Sequence, residues 1–198
     1  MGYSNYKKLK QVTEKFGIEV HKIELFDKNK SVRASNWLKQ TLKLANYITL
    51  SNEKVKSERI ISPILTEVHI THKDKIGMFS GEDLSVEPEN DLNGACDFFF
   101  STVPDAYLLE APIVVFAEAK DEDMDYGIAQ CTAQMIGAQI FNEREGKPTE
   151  TVWGCATTAG EWRFLRLTGK KLYVDAKSYY ISELPVLLGV FHQIIERL

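Results

Sequence analysis

Cysteine is scarce in this 198-residue chain: Cys96, Cys131 and Cys155 are the only three. The number is odd and no pair has the short spacing of a zinc knuckle or a redox motif, so neither a disulfide framework nor a structural zinc site is expected. Buried small side chains in a reducing compartment are the simpler reading. Long apolar runs are also missing; none approaches the ~18–20 residues that span a bilayer. The opening residues, Met1-Gly2-Tyr3-Ser4-Asn5-Tyr6, lack the basic-then-apolar layout of a signal peptide. The expectation is a cytoplasmic protein with no membrane partner. There is no basic surplus either. Lys plus Arg total 24 against 28 Asp plus Glu, a formal charge of −4. A net-negative chain binds nucleic acid only through a local basic patch or a metal ion. The glycines at 81 and 94 have no phosphate-loop spacing, and no Gly-x-Ser-x-Gly elbow or His-Glu-x-x-His helix occurs. His21, His69, His72 and His192 read as scattered surface residues. Repeats, low-complexity tracts and Pro/Gly/Ser linkers are absent.

What is present is an ordinary globular composition, 44% hydrophobic and 26% charged, and enough length to bury a core without staples. The first fifty residues read as helical. Tyr6, Leu9, Val12 and Phe16 recur at three- and four-residue spacing before Gly17. Trp37, Leu38, Leu42, Ala45 and Ile48 do the same after Ser35. Ser51 is a candidate cap for a helix running toward Ile61. Ser62-Pro63 then either starts a new helix or kinks the old one, and that segment carries Glu67. Lys75 to Val86, with Ser80-Gly81 inside it, predicts a β-hairpin. Ala95 to Ser101 predicts a strand, and Ile113 to Ala117 has the continuous apolar character of a central one. A helix from Asp125 to Asn142 follows. Then come strands at 151–158, 162–167 and 172–174, and a last helix capped by Ser182. The strand–helix–strand unit favours a parallel pairing and the hairpins add antiparallel strands. The expected fold is a single α/β domain, 1–198, with a central mixed sheet flanked by helices. It divides into N-terminal helices (1–50), a core (51–167) and a C-terminal strand and helix (168–198).

The chemistry concentrates at Glu118-Ala119-Lys120, which closes the most apolar strand. Strand side chains alternate, so Glu118 and Lys120 share a face. A carboxylate and an ammonium at the end of such a run are costly unless they face a cleft or each other. Asp97 interrupts another apolar strand and also needs a partner. If the two strands are neighbours, Asp97 and Glu118 converge. Two converging carboxylates suit magnesium, or manganese, and the Ala119 carbonyl offers a third oxygen. Such a metal polarises a phosphoryl oxygen and lowers the pKa of an attacking water. Lys120 would orient that water and neutralise developing charge.

At these residues the chain resembles the PD-(D/E)XK nuclease superfamily, in which an acid on one strand precedes acid-x-Lys on the next. The resemblance runs from about Ser51 to Leu167. It implies a restriction-endonuclease-like core, with the N-terminal helices as an elaboration. It also implies a metal-dependent phosphodiester hydrolase with Mg (or Mn) as cofactor and nucleic acid, DNA in first place, as partner. On this resemblance Asp97 and Glu118 hold the metal, Glu67 is an auxiliary ligand, and Lys120 positions the water. Gln130 matches the first position of the Gln-x-x-x-Tyr helix of some branches, while Gln134 stands where the Tyr would be. Cys96 replaces the motif's Pro, and the literal Pro104-Asp105 reads as loop chemistry instead.

Plainer readings stand beside these. Glu118 and Lys120 make a rim ion pair, Glu67 is an ordinary exposed helix glutamate, and Gln130 and Gln134 flank an apolar face. The acidic run Asp121, Glu122, Asp123 and Asp125 would repel a phosphate backbone beside the site. Basic candidates for that backbone are Lys73, Lys75, Arg163, Arg166, Lys170 and Lys171. The alternative function is therefore a non-catalytic nucleic-acid-binding or assembly module that keeps the fold. A plain interaction domain, homodimeric through the N-terminal helices or the final hairpin, is the third.

Overall fold

The longest apolar strand and the longest helix organise everything else. In the computed structural model, which describes residues 2–26, 30–104, 108–120 and 122–198, Ile113–Ala119 is buried along its whole length. Asp105 and Asp121 lie outside the described residues. The chain runs α1 (Leu9–Phe16), β1 (Glu19–Ile23), α2 (Asn36–Ala45), α3 (Glu53–Lys56), α4 (Ser62–Thr71), β2 (Gly77–Ser80), β3 (Phe98–Ser101), β4 (Ile113–Ala119), α5 (Met124–Arg144), β5 (Thr151–Thr157), β6 (Glu161–Thr168), β7 (Lys171–Asp175), β8 (Tyr179–Tyr180) and α6 (Leu184–Ile195). The strands form one mixed sheet in the order β1-β7-β6-β5-β4-β3-β2, with β8 paired to one end of β6. β4 and β5 are parallel, as their connection through α5 requires, and so are β1 and β7. All the other pairs are antiparallel.

Helices cover both faces. Leu38, Ile64, Leu65, Val68, Leu187 and Phe191 from α2, α4 and α6 pack one side against Val115, Ala117 and Phe164. Val12 and the apolar positions of α5 pack the other side against Phe99, Phe116, Ala156 and Leu165. α5 is buried around most of its girth, which explains a sequence apolar on more than one side. Asn142 near its C-terminus accepts from the Ile113 N–H and donates to the Ile113 carbonyl, each at 2.8 Å, and so ties the helix to the start of β4.

Four sequence expectations change, and one open alternative is resolved. The first fifty residues are not all helical: β1 extends the sheet at its edge beside β7, so this region is built into the sheet. Its burial pattern is mostly exposed, and an edge strand of that kind carries no apolar alternation to read. The hairpin within 75–86 is not formed. Gly81 does turn, with φ 71°, but β2 pairs with β3, where Phe79 meets Phe99. The aromatic face of Phe98-Phe99-Phe100 offers β2 more burial than residues 82–86 would. Of the Ser62-Pro63 alternatives, the structure has the continuing helix. A π-helical segment, Ser57–Ile61, joins α3 to α4 without a side-chain cap at the junction. The wider turn accommodates Pro63, which has no N–H to give the preceding turn. Asn52, not Ser51, caps α3, and Glu183, not Ser182, stands at the N-cap of α6. Among the described residues no helix is long and apolar enough to cross a membrane.

Candidate active site

The apolar run of β4 ends in Glu118, Ala119 and Lys120, each with polar groups that are hydrogen-bonded. Lys120 continues the ladder beyond the strand, its N–H donating to the Thr157 carbonyl at 2.8 Å. β3 begins only at Phe98, paired with Ala117, so the Ala119 N–H has no β3 partner in the ladder. The Asp97 carboxylate takes that N–H instead, Oδ2 accepting at 2.8 Å. This is why an aspartate is tolerated between Cys96 and Phe98, and it places Asp97 beside Glu118.

Glu118 points to the α5 side of the sheet and is 1% exposed. Lys120 Nζ donates to its Oε1 at 2.6 Å and Gln134 Nε2 donates to its Oε2 at 2.6 Å. Lys120 is itself 8% exposed. Its stem packs where α5 comes closest to the sheet: a Cβ at Gly127 would lie 3.1 Å from Lys120 Cγ and 3.2 Å from Ala156 Cβ. Gly127 thus leaves room for the lysine to fold back on Glu118. The ammonium also sits 5.0 Å from the centre of the Tyr126 ring.

The electrostatics are those of a coupled set. Burial, and then the charge of Asp97, raise the Glu118 carboxyl well above the ordinary glutamate range, to about 8, against the opposing pull of Lys120 and Gln134. Asp97 is also raised by burial, partly offset by the Ala119 N–H and by Lys120. Burial works to lower Lys120, but Glu118, Glu53 and Asp97 outweigh it and the ammonium is held above its usual value. Burial is the main reason both acids resist ionising, the charge of Asp97 adds to it at Glu118, and the lysine beside them is kept charged by the acids around it.

Asp97 opens onto a cavity of about 410 Å³. Ala119, Glu53, Ser57, Glu58 and the Ser80-Gly81 turn share its wall. Glu53 and Glu58 come from α3 and the π-helical segment, and such segments often occur at functional sites. Sequence reading missed Glu53, because an acid in the first turn of a helix is ordinary dipole chemistry. It also gave Gln134 second place. Gln134, one turn after Gln130, is the residue that reaches Glu118.

Two expected site residues are elsewhere. Glu67 is not brought to Asp97 and Glu118. Its Oε1 accepts from the Ser35 N–H at 2.6 Å and its Oε2 from the Ser35 hydroxyl at 2.8 Å. Ser35 in turn caps α2 by accepting from the Leu38 N–H. Glu67 is a clamp between α4 and α2, and both its oxygens are used there. Gln130 does not reach Glu118 either. It lines a separate cavity of about 240 Å³ with Gly2, Tyr3, Asn93 and Gly94, and its buried Oε1 has no hydrogen-bond partner among the described residues.

The donor set near Asp97 is all oxygen, which suits a hard divalent cation. Each carboxylate oxygen of Asp97 and Glu118 has a second lone pair beyond the bonds described. A cation between the two acids would favour ionised Glu118 against the burial and the Asp97 charge that raise it. Among the described residues no group of three or more His, Cys, Asp or Glu side chains is arranged around one metal position. No protein-family model matches the chain, and no curated protein matches it.

Proposed function

We propose that this protein is a metal-dependent nuclease of the PD-(D/E)XK kind, hydrolysing phosphodiester bonds, with DNA as the favoured substrate. One observation carries the reading: Asp97 and Glu118 couple electrostatically with Lys120 at the end of β4, beside a cavity that Asp97 lines. Asp97 and Glu118 are the residues that would hold Mg or Mn. When bound, the ion supplies Lewis-acid polarisation of a phosphoryl oxygen and a more acidic water. Lys120 carries the fixed positive charge next to the reacting phosphate and offers its donors to the attacking water or to a phosphate oxygen. Gln134 holds Glu118 Oε2 and so sets the direction in which Oε1 and Lys120 face. Glu53, across the cavity, adds negative charge that keeps Lys120 protonated.

The test is cleavage of supercoiled, linear and single-stranded DNA with Mg, with Mn and with EDTA. The wild type cuts with metal and not with EDTA, and Glu118→Ala loses activity by at least about 10²–10³-fold, the usual size for removing a main electrostatic contact. Equal activity in the two proteins overturns the proposal.

A second reading, the non-catalytic nucleic-acid-binding or assembly module, is favoured by one specific observation. Both oxygens of Glu118 are already closed off by Lys120 and Gln134, and the side chain meets almost no solvent. Calorimetric titration with Mn separates the two: no heat from a folded protein selects the non-catalytic module.

A further inference from the structure

The second cavity on the α5 side of the sheet carries a charge pattern opposite to the rest of the chain. It has a volume of about 630 Å³, and Lys7, Lys8, Lys22 and Arg163 stand around it. Leu9, Val20, Ile128 and Val174 supply its apolar surface. Two acids, Asp123 and Asp125, share the rim. Asp123 is committed in part, because its Oδ1 caps α5 by accepting from the Tyr126 N–H at 2.9 Å. Even with Glu161, which lies against Arg163, the four cations outnumber the acids by one in a protein whose net charge is −4. Arg163 is fixed in the wall: its Nε donates to Ser178 Oγ at 3.1 Å and Glu161 lies 3.4 Å from its Nη2. The three lysines are exposed and unconstrained by comparison.

The cavity is next to the candidate active site. Glu118, Ala156 and Arg163 are in register across β4, β5 and β6. Registered residues project from the same face, so Arg163 lies two strand spacings from Glu118, roughly 10 Å. Asp125 and Ile128 of the cavity flank Tyr126 and Gly127, the two α5 residues against which Lys120 packs.

We infer that this cleft is the seat of a single nucleic-acid strand that passes the N-terminal end of α5 toward Lys120, with phosphates on Lys7, Lys8, Lys22 and Arg163 and sugar and base surface on the apolar floor. The inference rests on the nuclease reading. The volume falls within the ~300–1,000 Å³ typical of sites that enclose a small molecule, which suits a short stretch of one strand and not the body of a duplex. Charge complementarity supplies the affinity, since phosphate contacts dominate binding to nucleic acid. The apolar floor, which inorganic phosphate would not use, argues for a polynucleotide.

The experiment is fluorescence anisotropy with a labelled oligothymidylate in EDTA, over a range of salt concentrations, so that no cleavage enters. Lys7→Gln combined with Lys22→Gln is compared with Lys39→Gln combined with Lys43→Gln, an equal charge change on α2 across the sheet. The first pair weakens binding at least about 10-fold near physiological salt. It also reduces the slope of log Kd against log salt by about 1.4, two contacts at roughly 0.7 each for a single strand. The α2 pair leaves the slope unchanged. Equal effects of the two pairs, or no binding by the wild type at low salt, overturn the inference. So does equally tight binding of the matching duplex with the same dependence on Lys7 and Lys22. Displacement of the oligonucleotide by pyrophosphate at equal concentration reassigns the cleft to small anions. Cleavage with metal by the wild type and by Glu118→Ala is scored separately from binding in EDTA, so loss of the cleft and loss of the nuclease reading are distinct results.

Discussion

Two buried glutamates, Glu67 and Glu118, occupy comparable positions and have opposite meanings. Both are on regular elements and both have both oxygens hydrogen-bonded. Glu67 spends its bonds on one residue, the Ser35 N–H and hydroxyl, and thereby fixes the start of α2. Glu118 faces an ammonium, an amide and a second acid, and the second acid is what sets it apart. A carboxylate can be buried for architecture alone when uncharged donors satisfy it. Glu118 is raised by burial first and by the charge of Asp97 second, and the Lys120 ammonium offsets this only in part. The lesson is that burial alone does not distinguish the two glutamates; a second acid and an ammonium within the same buried cluster do.

The largest effect expected from breaking this contrast is on stability at Lys120. Lys120→Ala leaves the Glu118–Asp97 pair without its buried ammonium, and removing one partner of a buried pair costs about 3–5 kcal/mol. Urea unfolding at pH 8 reads this, and because Glu118 takes up a proton in acid, the loss is smaller at pH 5. Next comes Glu67→Ala, which strands the Ser35 N–H and removes the support of the α2 cap. A loss of about 1–3 kcal/mol is expected. On the proposed function, cleavage by the folded fraction is unchanged, because Glu67 is held by Ser35 away from Asp97 and Glu118. A large loss of turnover in Glu67→Ala at full folding would return Glu67 to the catalytic set.

The pH dependence sharpens the contrast further. In the unfolded chain Glu118 ionises near the ordinary glutamate value of 4.5, while in the fold it keeps its proton to about 8. Between those values the folded state binds more protons, so metal-free stability is greatest below the window and falls as pH rises through it. Glu118→Gln removes the Glu118 share of this slope, whereas Glu67→Gln leaves it in place; thermal unfolding in EDTA from pH 5 to 8 distinguishes them. The smallest effect belongs to Gln134→Ala. Lys120 still holds Glu118, so the fold loses only about 1 kcal/mol, the usual worth of one hydrogen bond. Turnover falls more than substrate binding does, measured as kcat against KM.

Much of the site was legible because the conflict is written in the sequence. Asp97 in the apolar stretch Cys96 to Phe100 and Glu118-Ala119-Lys120 at the end of another such stretch have no local use for their charges, so convergence is the economical reading, even though β3 itself begins one residue after Asp97. Glu67 and Gln130 were misplaced for the opposite reason. A helix shows its residues' spacing but not which neighbour it packs on, and α4 turns Glu67 toward α2. Gln130 and Gln134 are one turn apart, and only the depth of α5 against Gly127 and Ala156 decides which of them reaches the acid. The sheet shows the same division. β4 was readable from its continuous apolar run, whereas β1, an exposed edge strand, has no such signal. The β2–β3 pairing was hidden because the Ser80-Gly81 turn is real but its strand partner lies beyond it in the chain.

Calorimetric titration of Mn into the wild type and into Glu118→Ala, at pH 8 with the fold of each monitored by circular dichroism, tests the central claim most directly. The account predicts saturable binding to the wild type that is accompanied by proton release from the Asp97–Glu118 pair and is lost in Glu118→Ala. Identical heats for the two folded proteins, or none for either, would contradict it.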